Sequence, residues 1–511
     1  MGTLSHVMRL TVSILVTLLI TSKSVEGKKN VLVFIGDDAG FLQSAYNNTV
    51  CQTPNLDKLA ARSLTFTQGY TSVSSCSPSR SVLLSGIPQH QNGMYGLRHI
   101  PHHFVSFDDV RSLPLVLASH GIRTGLIGKK HVGPPEVYKF DYERSTDQYI
   151  NDQIGRNITF MHGFVKEFLQ AKDDRPFFLY IGFYDSHRTR PQDIETFGPF
   201  HNLWGTGKPG MGLIKDWTPQ VYNPDDVIVP YFLPDNDVTR RDIAAMYTSF
   251  GRMDQGIGLF LSELEKAGYL DDTLIMFTAD NGIAFPNAKT NLYEPGMGEP
   301  MMISTPQNKH SWGQFSDALA STMDFTPTIL DWFGVPYPDY ALNGLKVSLT
   351  GRSLLPLTSS HLGAEQDFSV VYSSHDFHEV TMPYPMRVLR QGQYRLIHNL
   401  NNRMPYPLAS DLFYSPTYME ILNRTKAGIP TKWFKTLQQY YYRDEWELFD
   451  LTFDPEELHN LAYEPSHADV LSGMKKKLIE WQWQTNDPWV CMPHGVLILG
   501  QCYPMLNEPA K

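Results

Sequence analysis

Cysteine is scarce in this chain, with 4 in 511 residues. That excludes a small scaffold held together by disulfides, which carries cysteine at ~10%. Charge is also thin. Charged residues make up 19% of the chain against 42% hydrophobic, a balance that excludes a mostly disordered protein. Basic residues are in deficit, 43 Lys and Arg against 53 Asp and Glu, for a formal charge of −10. Bulk positive charge for gripping nucleic acid or another polyanion is therefore missing at neutral pH. No segment reaches the ~20 apolar residues of a membrane-spanning helix, so no stable membrane insertion is expected. Internal repeats, low-complexity tracts and long flexible linkers are missing as well. What remains is length: 511 residues predict two to four domains, or one large core with an appendage.

The N-terminal stretch differs from the rest. Arg9 precedes an apolar run over 10–20, and small and polar residues follow over 21–27. That order reads as a secretory signal over residues 1–27. The competing reading is a buried N-terminal strand. Sequons at Asn47, Asn157 and Asn423 fit a secretory route as N-glycosylation sites. Cys491 and Cys502 are close enough in sequence to close a small loop as a disulfide, and Cys51 and Cys76 could pair with each other.

Three apolar runs end abruptly in polar residues. They are 31–36 before Asp37 and Asp38, 177–184 before Asp185, and 274–279 before Asp280 and Asn281. Continuous apolarity predicts strands covered on both faces. Helical patterns over 55–62, 112–120, 157–171 and 242–267 lie between them. Strands alternating with helices predict an α/β domain with a large, mostly parallel mixed sheet flanked by helices. In such sheets ligands bind beyond the carboxyl ends of the strands, which is where the acidic pairs fall. Past about residue 370 the segments are shorter and richer in Tyr and Pro. Strands over 386–388 and 394–398 and a helix over 470–483 predict a smaller C-terminal α+β domain. The expected division is 1–27, 28–370 and 371–511.

Asp37, Asp38, Asp280 and Asn281 offer only oxygen ligands, which suit a hard divalent ion such as Ca²⁺ or Mg²⁺ and not zinc. The alternative is that they cap strand ends as turn formers. The run Cys76-Ser77-Pro78-Ser79-Arg80 leads into an apolar helical pattern, so Cys76 sits near a helix N-terminus. That position favours anions and activates nucleophiles. On these residues alone Cys76 is either a reactive thiol or a small buried residue.

Cys76-Ser77-Pro78-Ser79-Arg80 with Leu84-Ser85-Gly86 resembles the signature of the type I sulfatases. Gly121-Ile122-Arg123-Thr124-Gly125, Gly128-Lys129-Lys130-His131 and Glu447-Leu448-Phe449-Asp450 match the same family, in its order and over almost the whole chain. The resemblance implies an alkaline-phosphatase-like fold and a hydrolase. It implies that Cys76 is converted to formylglycine by the formylglycine-generating enzyme. The hydrate of that aldehyde attacks sulfur with one hydroxyl and expels sulfate with the other. It implies one Ca²⁺ ion held by Asp37, Asp38, Asp280, Asn281 and the modified Cys76. Arg80 would hold the diol and the carboxylates, and Lys129 and Lys289 would bind sulfate. His131 would assist sulfate release, and His187 would protonate the leaving group. Asp185 would contact the sugar or orient His187. With Cys76 committed to conversion, Cys51 is left as a buried free thiol.

Further stretches, Ile329-Leu330-Asp331-Trp332-Phe333, His378-Glu379-Val380-Thr381-Met382 and Trp481-Gln482-Trp483, are similar to one branch of that family. That branch removes N-linked sulfate from terminal glucosamine of heparan sulfate in the lysosome. The resemblance thus implies sulfated glycosaminoglycan fragments as partners and a homodimer as the assembly. Two positions depart from the pattern. Ser85 stands where Thr is usual. Lys289 stands where this branch has Arg, which keeps the charge and loses the bidentate fork. Sulfatase action on an O-sulfated sugar is therefore the competing expectation. An inactive protein that binds sulfated glycans is a third, disfavoured because every expected polar position is filled.

Removing residues 1–27 takes away Arg9, Lys23 and Glu26 and leaves a charge of −11 with 17 of the 18 His. Near pH 5, full protonation of those His would bring the chain to +6 as an upper bound. Attraction for a polyanion is then expected to rise as pH falls from 7 to 5.

Overall fold

The computed structural model of the protein describes residues 29–147, 153–189, 199–359 and 364–505. The signal expected over 1–27 lies outside them. The central element is an eight-stranded sheet in the order Tyr142–Ser145, Arg123–Gly128, Phe177–Gly182, Asn30–Gly36, Thr273–Ala279, Met301–Ser304, Leu64–Phe66, Gln314–Ser316. Only Met301–Ser304 runs against the others.

The three apolar runs form the middle of this sheet, and their side chains alternate between two cores as the strand period requires. Leu32 and Phe34 enter one core with Ile181, Phe277 and residues of the helices Ile158–Leu169 and Asp237–Lys266. Val31, Val33 and Ile35 enter the other with Tyr180, Met276 and residues of the helices Leu113–Ser119 and Phe325–Phe333. Both faces are covered, which is why these strands read as continuous apolar runs.

The structure adds to the expected elements in two places. The long helix begins at Asp237, five residues before the apolar pattern, because the Asn236 side chain accepts hydrogen bonds from Val238 N and Thr239 N. Strands Leu64–Phe66, Tyr142–Ser145, Met301–Ser304 and Gln314–Ser316 have three or four residues each, too few to show a period. Among the described residues, no helix is long and apolar enough to cross a membrane.

The C-terminal part is built on an antiparallel sheet of Val370–Phe377, Pro383–Gln391, Tyr394–Asn399 and Trp446–Asp450, in that order. Helix Ala468–Gln484 lies on it, and Leu478 and Trp481 share a core with Leu389, Leu396 and Leu448. Val73 and Val82 belong to this same core. The segment around Cys76 is therefore held between the two sheets. Beyond the helix, Cys491 and Cys502 form a disulfide at a short hairpin of Gly495–Ile498 and Gln501–Pro504.

His90 joins the two parts. Its Nδ1 lies 3.1 Å from Ser374 Oγ and its Nε2 2.8 Å from Thr485 Oγ1. Burial holds its pKa down at about 3. An unfolded chain titrates near the ordinary ~6.5 and so takes up the proton first as pH falls. The contribution of neutral His90 is thus present above ~6.5 and is progressively lost below it. The stability advantage of the wild type over His90→Gln should shrink by about 2 kcal/mol between pH 7 and pH 5. Denaturant unfolding at the two pH values measures this, and a constant gap would contradict it.

Candidate functional site

Adjacent parallel strands bring the first carboxylates together. Gly36 at the end of Asn30–Gly36 pairs with Ala279 at the end of Thr273–Ala279, so Asp37 and Asp280 leave the sheet side by side. Asp38 follows with φ of 54°, a left-handed turn that lets its backbone N–H donate to Asp280 Oδ1 at 3.1 Å. Cys76 enters as the first residue of helix Cys76–Leu83, with Sγ 3.9 Å from Asp38 Oδ1. One ligand atom from each of Asp37, Asp38, Cys76 and Asp280 lies within 4.8 Å of the others. Asn281 is tied to the group by Nδ2 donating to Asp38 Oδ1 at 2.7 Å.

Three buried carboxylates at this spacing require positive charge. Arg80, one helical turn after Cys76, donates Nε to Asp280 Oδ2 at 2.8 Å and places Nη2 3.7 Å from Asp37 Oδ1. Its Nη1 donates to Lys129 O and Tyr180 OH, both at 2.9 Å. That approach needs Gly182, because a Cβ there would lie 2.3 Å from Lys129 O and 2.9 Å from Arg80 Nη1. Lys129 Nζ donates to Asp37 Oδ2 at 2.5 Å, and Lys289 Nζ donates to Asp38 Oδ2 at 2.9 Å. Burial alone would lower the Lys129 ammonium, and the Asp37 carboxylate together with Cys76 and Tyr184 more than reverses this. The Cys76 thiol is pushed well up by burial, against the opposing pull of Lys129 and Lys289, so it is not a thiolate nucleophile in this setting.

His187 completes the cluster. Its Nε2 lies 3.1 Å from Lys289 Nζ and 3.9 Å from Asp38 Oδ2, and its Nδ1 lies 2.6 Å from Arg188 O. Burial, and then the Lys289 ammonium, push its pKa down to about 3. His131 stands across the site, 3.1 Å from His99 Nδ1 through Nε2. Cys76, Lys129, His131 and His187 all line one cavity of about 530 Å³. Lys289 is fully buried beneath it.

Asp185 departs from one of its two expected roles, the sugar contact. It is fully buried, Arg156 Nη1 and Arg252 Nη2 both donate to its Oδ1 at 2.6 Å, and Arg252 Nε donates to Oδ2 at 2.6 Å. Both oxygens are committed, so Asp185 is not a sugar contact. It fixes Arg156, whose Nη2 donates to His187 O at 3.0 Å, and so acts on His187 only through that backbone.

The charge expected from histidine at pH 5 is also corrected. His90, His131, His187, His201, His375, His378 and His398 all have pKa values lowered chiefly by burial, so these rings stay neutral where exposed ones would charge. The bound of +6 is out of reach.

Sequence reasoning missed Asp411, whose Oδ2 accepts from Lys289 Nζ at 2.9 Å and lies 3.8 Å from His187 Nε2. It also missed the role of His378, which lines the cavity and places Nδ1 2.8 Å from Ser75 Oγ. His378 stands in a stretch that matched the family. Asp411 carries no pattern of its own. Among the other candidates, Asn47 and Asn423 are exposed, and Asn157 caps its helix by accepting from Phe160 N at 3.1 Å. Cys51 is buried with a free thiol.

The Sulfatase family profile matches residues 29–335, and the profile described as N-sulphoglucosamine sulphohydrolase, C-terminal, matches 287–423 and 410–484. Human N-sulphoglucosamine sulphohydrolase is 54% identical over 487 residues, covering 94% of this chain and 95% of that one. An N-acetylglucosamine-6-O-sulfatase of Bacteroides thetaiotaomicron is 23% identical over 547 aligned positions, covering 91% of this chain and 88% of its own. A solved structure in complex with its substrate D-glucosamine-2-N,6-O-disulfate superposes with a TM-score of 0.62. At 20% identity, over 90% of this chain and 99% of that one, the likeness shows a shared fold.

Removing the Asp185 carboxylate would leave Arg156 and Arg252 buried without their partner. Asp185→Ala is expected to lower the unfolding free energy by ~3–5 kcal/mol, with KM of the folded fraction nearly unchanged. Denaturant unfolding and steady-state kinetics on one preparation test this, and a raised KM at unchanged stability would restore the sugar contact.

Proposed function

The chain belongs to the sulfatase family and is a hydrolase, and on that premise we propose that it removes the N-linked sulfate from terminal N-sulfoglucosamine of heparan sulfate. The observation that carries this reading is the 54% identity to human N-sulphoglucosamine sulphohydrolase across 94% of the chain. We take the catalytic unit to extend over 28–370 and the C-terminal unit over 371–511. The enzyme reaches the lysosome by the secretory route, carries glycans at Asn47, Asn157 and Asn423, and works as a homodimer.

Asp37, Asp38, Asp280 and Asn281 would hold one Ca²⁺ ion together with the side chain at position 76. The donor set fits a hard cation: Asp37 Oδ1 and Asn281 Oδ1 are buried acceptors with no hydrogen-bond partner. When bound, the ion supplies Lewis-acid polarisation of the sulfate group. Formylglycine made from Cys76 supplies a hydroxyl nucleophile and, through its second hydroxyl, a route for sulfate release. Cys76 is only 1% exposed, so the formylglycine-generating enzyme must act before the chain folds.

The chain's own groups orient the reaction. Lys129, held by Asp37, lines the cavity and presents an ammonium for the sulfate oxygens, and Lys289, with its N–H groups directed to Asp38, His187 and Asp411, adds positive charge beneath them. Arg80 keeps Asp280 and Asp37 in place beneath them. His131 stands on the side of Lys129, where it assists sulfate departure. His187 has Nδ1 committed to Arg188 O, so Nε2 is the atom that serves the departing nitrogen; the ring, neutral in the free site, takes up a proton there when the sulfamate anion binds beside it and passes that proton on.

Four measurements test the reading. Peptide mass spectrometry across 72–80, on protein from a secretory host, should find formylglycine at position 76; unmodified Cys alone would remove the mechanism. Cys76→Ala should lower sulfamate hydrolysis by about 10⁴-fold or more, as loss of a covalent nucleophile does. Chelation should abolish activity, and Ca²⁺ should restore it better than Zn²⁺. The Lys289 departure makes glucosamine 6-sulfate the comparison substrate. Preference for it over N-sulfoglucosamine would leave a sulfatase and overturn the choice of substrate.

A further inference from the structure

Asp411 lines the catalytic cavity but comes from the C-terminal part of the chain, on the short helix Ser410–Phe413. Its two oxygens are used differently. Oδ2 accepts from Lys289 Nζ at 2.9 Å and lies 3.8 Å from His187 Nε2. Oδ1 is buried and has no hydrogen-bond partner. An unpartnered buried carboxylate oxygen is costly and calls for a donor. Burial would raise this carboxyl, and the Lys289 ammonium, helped by His187 and His378, more than reverses that and holds it well below the usual carboxylate range. The free oxygen is therefore an acceptor that has no proton to give.

The donor it lacks is one that distinguishes two substrate classes. The bridging nitrogen of a sulfamate carries a hydrogen, and the bridging oxygen of a sulfate ester carries none. His187 Nε2 faces the bridging atom in the mechanism above, and Asp411 lies beside it. We propose that Asp411 is a specificity-determining residue that accepts the N–H of the sulfamate and so selects N-linked over O-linked sulfate. With an ester bound, acceptor would face acceptor, and the buried oxygen would stay unpaired. As the N–S bond breaks, nitrogen keeps the bonding pair and takes the proton from His187 Nε2. The resulting amine takes a further proton from water in acid, and the ammonium formed is attracted to the same carboxylate. This inference rests on the sulfamate reading, and the experiment separates the two.

The test compares Asp411→Asn with wild type on N-sulfoglucosamine and on glucosamine 6-sulfate. The expected result is a fall of about 100-fold in kcat/KM for the sulfamate and only several-fold for the ester. Lys289→Met should lower both by similar factors, because it removes positive charge from beneath the sulfate that the two substrates share. Equal losses on the two substrates in Asp411→Asn would overturn the inference and reduce Asp411 to a support for Lys289. Wild type that prefers the ester would instead overturn the sulfamate reading itself. Binding gives a readout that does not need turnover. Asp411→Asn should weaken glucosamine, a cation at pH 5, by at least tenfold while leaving 2-deoxyglucose, which has no donor at that carbon, within about twofold. Unchanged glucosamine affinity in folded variant protein would overturn the inference as well.

Discussion

Asp37, Asp38 and Asp280 are buried, and their ligand oxygens lie within 4.8 Å of one another and of the Cys76 sulfur. In a low-dielectric interior, like charges at that range repel by several kcal/mol unless cations stand among them. Arg80, Lys129 and Lys289 stand there, one from the Cys76 helix, one from the end of Arg123–Gly128 and one from the loop after Asn281. This crowding of charge explains the local architecture. The sheet must hold two strand ends in register. The helix must begin at Cys76 so that Arg80 falls one turn inside it. Position 182 must be glycine so that the guanidinium can reach the neighbouring backbone.

A second set of buried ion pairs fixes the frame around the first. Asp185 is clamped by Arg156 and Arg252, and Arg188 makes a bidentate pair with Asp242 at 2.9 and 2.8 Å. Asp242 also accepts from Thr417 Oγ1 at 2.7 Å, which links the long helix to the C-terminal part. Arg156 and Arg188 line the cavity, so the groups that hold His187 in place also shape the space in front of it. Breaking one partner of such a pair leaves a buried charge, which makes substitution here costly whether or not the residue touches substrate.

The site is not complete within the large sheet and its helices. Asp411 and His378 arrive from beyond residue 370, and Val73 and Val82, which flank Cys76, pack in the core of the antiparallel sheet. The C-terminal part therefore supports the Cys76 segment from behind and supplies side chains in front. Its effect on charge is also local. The histidines near the site are buried and neutral, so the positive field that meets an anionic substrate comes from Lys129, Lys289 and nearby arginines and not from the protein as a whole.

Much of this was legible in the residues themselves. Apolar runs ending in Asp37-Asp38 and Asp280-Asn281 announced buried strands and an acidic site at their carboxyl ends, because burial on both faces leaves a continuous pattern in the chain. The Cys76 to Arg80 motif announced the helix N-terminus, because its residues are neighbours in sequence. Short strands such as Met301–Ser304 left no readable period. Asp185 looked like the other strand-end acids, and only the fold showed Arg156 and Arg252 closing on it from 29 and 67 residues away. Asp411 lies 122 residues from Lys289 and 224 from His187 along the chain, and the interaction that gives it meaning exists only after packing. The sequence determined which groups can bind a cation, carry a proton or be modified, since that is a property of residue type. The tertiary structure decided which of those groups keep a free oxygen or a neutral ring, since burial and pairing depend on what packs against them.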